Sequence, residues 1–109
     1  MKQHSLSKED ILTGIKKFDE LFSHGRFLHS NLINIIYKKS ESFKIAFVVS
    51  GKIRKKVTRN IIKRHLREIY RTNKNEFPTN MHIILMVKKE RYNFHKLKEE
   101  ILSTVKDLE

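Results

Sequence analysis

Three kinds of side chain in this sequence could do chemistry: carboxylates, histidines and a dense set of cations. Metal-assisted cleavage of a phosphodiester needs carboxylates that converge on one or two cations. The twelve acids here are scattered. The close pairs Glu9–Asp10, Asp19–Glu20 and Glu99–Glu100 are sequence neighbours, which point in different directions on a helix and chelate poorly. The six histidines, at 4, 24, 29, 65, 82 and 95, show neither ligand spacing nor a paired acid–base arrangement. Cysteine is absent, which excludes thiolate metal sites and disulfides and is compatible with a reducing cytoplasm. No catalytic residue and no protein-held metal is therefore assigned. Electrostatic chemistry remains.

That chemistry is concentrated in one stretch, 52–71, KIRKKVTRNIIKRHLREIYR. It holds nine Lys or Arg against a single acid, Glu68. Wound as a helix at about 100° per residue, Arg59, Asn60, Lys63, Arg64, Arg67 and Arg71 fall within an arc of roughly 140°. Ile61, Ile62, His65, Leu66 and Ile69 fill the opposing arc, where His65 is expected to be a satisfied core histidine. An ordinary solvated face mixes signs, because like charges at i,i+4 repel. This one has almost no internal compensation, so its natural partner is a polyanion. Aromatic residues are the second signal. Phe18 and Phe22 are spaced i,i+4 on a first helix, and Tyr37 lies on a following strand. Spacing alone favours core packing for all three; the alternative is a partly open platform on which unpaired bases stack.

The elements that must carry these residues follow from periodicity. The N-terminal segment 1–11 is polar and expected to be a mobile arm. Thr13 is placed to cap a helix with the stripe Ile15, Phe18, Leu21, Phe22, and Gly25 to end it in a left-handed turn. Residues 26–31 read as a connector. Strands are expected over 32–38, 43–50 and 81–88; the first two are spaced for an antiparallel hairpin, and the second is apolar enough to be a central strand. The basic helix spans 57–73, and Asn93 caps a last helix with the stripe Leu97, Ile101, Val105, Leu108. The order is α-β-β-α-β-α, an α+β sandwich with a βαβ crossover in a small mixed sheet. At 109 residues and a formal charge of +12, this is one domain, 1–109, large enough for a core of its own. No apolar run approaches a membrane span and no signal peptide is evident. The partner class is nucleic acid rather than membrane.

The segment SGKIRKKVTRNIIKRHLREIYR resembles the signature of the bacterial ribonuclease P protein family, a helix with Arg-Asn-Arg, Lys-Arg and Arg-Glu at fixed spacing. Arg59, Asn60, Lys63, Arg64, Arg67 and Glu68 fall on that pattern. IKKFDELFSHG resembles the family's first-helix motif, with its paired Phe and closing Gly. The similarity runs over residues 12–108. The departures are Ile61 at the third position of Arg-Asn-Arg, expected to face the core, and Gly51 in place of a Lys, with Arg54, Lys55 and Lys56 restoring charge nearby.

The resemblance implies a ribosomal-protein-like sandwich with a left-handed βαβ crossover, against the usual handedness. It implies an accessory subunit, in a 1:1 complex with the ribonuclease P RNA, whose RNA partner uses Mg2+ to remove the 5′ leader of precursor tRNA in the cytoplasm. Lys52, Arg59, Asn60, Lys63, Arg64 and Arg67 would then face the catalytic RNA. Phe18 and Phe22, joined by Tyr37 if the strand register allows, would line a cleft for the leader. The rival readings are a ribosomal-protein-like structural RNA binder, a helix-type DNA reader and a stand-alone nuclease.

Overall fold

The computed structural model describes residues 11–12 and 15–108, with backbone alone for 15–17. Its elements are α1 (Ile15–His24), β1 (Arg26–His29), β2 (Ile33–Lys39), β3 (Lys44–Val49), α2 (Lys56–Thr72), β4 (Met81–Val87) and α3 (Phe94–Val105), with a short 3-10 turn at Lys74–Glu76 before β4. One four-stranded sheet runs in the order β1-β2-β4-β3. β4 pairs antiparallel with β2 and parallel with β3, which makes the sheet mixed and β3-α2-β4 the crossover.

Three expectations change here. β2 and β3 do not form a hairpin; β4 lies between them. The gap across β4 is about 10 Å, twice the inter-strand spacing, and the four residues linking β2 to β3 can span about 13 Å. The Ser40 amide, in that link, donates to the Asn80 carbonyl just before β4 at 3.1 Å. The central strand is thus β4, MHIILMV, with Ile83, Ile84 and Leu85 fully buried. β3, read as central from its apolar run, is an edge strand. Its outer side is partly covered by Ile11, which forms a parallel bridge to Ile45, while the Leu12 amide donates to the Ile45 carbonyl at 2.8 Å. Residue 11 is therefore part of the fold and not of a mobile arm. The Thr13 cap lies outside the described residues.

Alternation along the strands sorts the core into two layers. Ile33, Ile35, Ile45, Ile83, Leu85 and Val87 face α2 and α3, where Ile62, Leu66, Ile69, Leu97 and Ile101 meet them. Ile36, Ala46 and Ile84 face the other way, against Leu21 of α1 and Leu12, with Phe18 packed alongside. Two polar contacts fix α3. The Asn93 side-chain oxygen accepts from the His95 and Lys96 amides at 2.9 and 3.2 Å, the expected cap. The Glu100 carboxylate accepts from the Leu32 and Ile33 amides at 2.6 and 3.2 Å, which ties the helix to the start of β2.

Gly25 is needed for a reason other than a left-handed backbone. A Cβ there would run into the Leu21 carbonyl oxygen and sit 3.1 Å from the Tyr37 carbonyl. The chain turns from α1 into β1 through space that only a hydrogen fills. Residues 26–29, read as a connector, form β1, an edge strand paired antiparallel with β2 from Arg26↔Tyr37 to His29↔Asn34.

Candidate RNA-binding surface

The basic helix α2 is held by its apolar arc: Ile62, Leu66, Ile69 and Tyr70 are buried. That fixes which cations can turn outward. Asn60, Arg64 and Arg67 are exposed, Lys63 is half-buried, and Lys52 stands exposed in the loop before the helix. The N-terminal end is charged against the ordinary preference. Arg54, Lys55 and Lys56 gather where the macrodipole is already positive, the first turn holds no acid, and the cap residue Lys55 makes no side-chain capping bond. Local stability favours the opposite arrangement, and phosphate binding favours this one.

Arg59 departs from the expected outward set. Its Nη1 donates to the carbonyls of Ser50 at 2.9 Å and Ile53 at 2.8 Å, and the side chain is half-buried. It clamps the β3–α2 loop, whose carbonyls lie outside any regular ladder. Loop geometry of this kind is invisible on a helical wheel. Ile61 departs in the other direction. It was expected to add core, yet it is 43% exposed and Val57 is 71% exposed, so the apolar arc is covered only from Ile62 onward. Arg71 is paired with Glu68, with Nη2 to Oε2 at 2.7 Å and Nε to Oε1 at 3.1 Å. Glu68 thereby offsets Arg71, a cation of the ridge itself.

His65 is half-buried and satisfied, as expected: its Nδ1 lies 2.7 Å from the Tyr92 hydroxyl, with the Phe94 ring edge-on at 5.2 Å. The Tyr92 hydroxyl, a phenol protonated at neutral pH in any case and pushed further up by burial, can donate to the imidazole.

The aromatic residues separate. Phe18 is half-buried and Phe22 is 39% exposed on the α1 face of the sheet. Tyr37 shares a face with Ile33 and Ile35, opposite α1, and is buried in the larger core. It does not join the other two, because the register turns it to the other side. Phe18 instead meets the basic helix. A groove of about 340 Å³ is lined by Phe18 of α1, Ala46 and Phe47 of β3, and Lys63 and Arg67 of α2, with Ile11 and Leu12 at its wall. A second concavity, about 260 Å³, lies along the ridge between Arg64, Arg67, Glu68 and Arg71. Periodicity did not bring forward Phe27 and His29 of β1, whose rings lie on the same sheet face as Phe22. Among the described residues no three His, Asp or Glu converge as a metal cage would require, and no helix is long and apolar enough to cross a membrane.

Comparisons with known proteins identify the family and the fold. The Ribonuclease P family model matches residues 6–109. The ribonuclease P protein component of Petrotoga mobilis is 33% identical over all of this chain and 99% of its own length. That of Desulfosudis oleivorans is 34% identical over 85% of this chain and 78% of its own. The solved RNase P protein of Thermotoga maritima superposes with a TM-score of 0.82 at 28% identity, covering 91% of this chain and 97% of that one. A mutant of the Staphylococcus aureus RNase P protein, at 18% identity and a TM-score of 0.79, shares the fold. With its cationic ridge, its α1 groove and a match over nearly its whole length, this chain belongs to the ribonuclease P protein family, the protein component of the tRNA-processing ribonucleoprotein.

Proposed function

We propose that this chain is the accessory, non-catalytic subunit of a ribonuclease P holoenzyme, pairing 1:1 with the catalytic RNA in the cytoplasm. In this reading α2 docks on the catalytic RNA while the α1 groove holds the single-stranded 5′ leader of precursor tRNA. The observation that carries it is the groove shared by Phe18 and by Lys63 and Arg67. An apolar ring and two cations on one concave surface suit a flexible strand, with the ring taking a base face and the cations taking phosphates. Arg64, Asn60 and Lys52, farther along the ridge and its approach loop, face the folded RNA. Arg59 acts on that surface by holding the loop that carries Lys52.

The physical task is to bring two polyanions together. Their repulsion at the junction is screened by the ridge, and a leader held in place needs less ordering when the bond breaks. We place Mg2+ and the cleavage chemistry on the RNA subunit, as the family resemblance implies, where the metal would supply charge stabilisation and an activated water. Leader recognition is largely sequence-tolerant, since phosphates and ring faces carry little sequence information.

Reconstitution tests this reading. Purified protein, a bacterial ribonuclease P RNA and precursor tRNA are combined at low Mg2+, with each component omitted in turn. Efficient release of the leader should require the RNA and be strongly stimulated by the protein. Cleavage by the protein alone would show a nuclease, and RNA binding without stimulation would show a structural binder.

A further inference from the structure

A line of aromatic rings crosses the α1 face of the sheet from one edge to the other. It begins at Phe18, which lines the groove at β3, and passes to Phe22 one turn along α1. From there it reaches β1, the opposite edge strand. The Phe22 and Phe27 centroids lie 6.5 Å apart with a tilt of 47°, and Phe27 and His29 lie 6.2 Å apart and near-parallel at 21°. Phe22 and Phe27 are 39% and 46% exposed, while His29 is also exposed. The His29 ring is oriented by its Nδ1 contact to the Asn34 side-chain oxygen at 2.9 Å. A β1 strand that served only to close the sheet would not need two ring side chains turned outward on one face, side by side.

We infer that Phe27 and His29 form a second base-stacking station, which extends the leader groove across β1 and takes unpaired bases farther from the cleavage site. The inference rests on the groove being the leader site. Two observations select a single-stranded RNA as the occupant. The rings continue the groove's own line, with Phe22 as the link. The α1 side of the patch carries acids rather than free cations: Asp19 and Glu20 lie on α1, and the Lys38 ammonium is already 3.2 Å from Glu20, while His24, Arg26 and Lys39 line a separate concavity beside β1. Residues i and i+2 on a strand stand roughly 7 Å apart, so successive rings present separate faces to successive bases. Stacking of this kind is sequence-tolerant, and it adds affinity without adding salt dependence.

The test uses the reconstituted holoenzyme and precursor tRNAs with leaders of about four and about ten nucleotides, a range typical of single-strand sites. Phe27→Ala should weaken binding of the long-leader substrate by about tenfold, a typical loss for one stacked base, with little effect on the short one and no change in salt slope. Phe27→Tyr should restore binding and Phe27→Leu should not, which separates stacking from packing. His29→Ala should act in the same direction, more weakly. Equal losses at both lengths, rescue by Leu, or no loss at all would overturn the inference. If Phe22→Ala still lowers the preference for precursor over mature tRNA in that case, the groove reading stands without the extension. If Phe22→Ala is also silent, both fall. A change in oligomeric state on Phe27→Ala, measured by sedimentation, would instead make the patch a contact between copies and likewise overturn it.

Discussion

The α2 ridge and the α1–β1 face, the two surfaces proposed to meet RNA, differ in how each is built. The ridge is charge on a rigid rod. Its back is fully buried through Leu66 and Ile69, and its N-terminal turn accumulates cations against the helix dipole. The α1–β1 face is made of rings near mixed charge, with Glu20 holding Lys38 and with Phe22 and Phe27 open to solvent. One surface acts at long range and weakens with salt; the other acts on contact and is largely indifferent to it. A folded RNA with dense phosphates suits the first, and a loose strand with exposed bases suits the second.

The largest perturbation breaks the rod itself. Leu66→Ala removes a fully buried side chain beneath the ridge and should cost about 2–5 kcal/mol in urea unfolding, with loss of catalytic-RNA docking as the fold fails. Phe22→Ala should leave stability nearly unchanged. It should reduce the preference for precursor over mature tRNA by about 1–3 kcal/mol in equilibrium binding. Arg59→Ala sharpens the comparison within α2. It removes two hydrogen bonds to loop carbonyls, of which the Ser50 carbonyl keeps the Ile53 amide as a donor, and should lower stability by about 1–3 kcal/mol, whereas Arg64→Ala, exposed on the same helix, should change stability little and RNA binding more. The smallest effect belongs to Glu68→Gln. Loss of its exposed pair with Arg71 should scarcely alter the unfolding midpoint, while tighter RNA binding at low salt should follow from release of the guanidinium.

Much of this difference was legible in the sequence, for physical reasons. Segments whose pattern is local were read closely: α2 from its charge and apolar arcs and β4 from its apolar run, each to within a residue, and α3 from Asn93 and its stripe, except that the helix ends at Val105 before the expected Leu108. The order of the strands was not legible. It depends on β4 entering between β2 and β3, a pairing between segments about fifty residues apart in sequence for β2, and β3 looked central because Ile11 and α2 supply the cover that a neighbouring strand would. β1 was missed because RFLH is four residues long and mostly exposed, with no alternation to read. Its rings were missed with it. For the site, a helical wheel identified Asn60, Lys63, Arg64 and Arg67 as one face, but could not see that loop carbonyls draw Arg59 inward. Nor could it see that cover ends before Ile61. Tyr37 depended on strand register, which pairing with β4 sets and which local sequence does not.

The most direct test of the division between charge and ring faces is the salt dependence of protein binding to the catalytic RNA, measured for wild type, Arg64→Ala and Phe22→Ala. Arg64→Ala should make the log–log slope shallower by about one, the loss of one phosphate contact, and Phe22→Ala should leave it unchanged. A slope that Phe22→Ala flattens, or that Arg64→Ala leaves as steep as wild type, would contradict the assignment of α2 as the surface that docks on RNA.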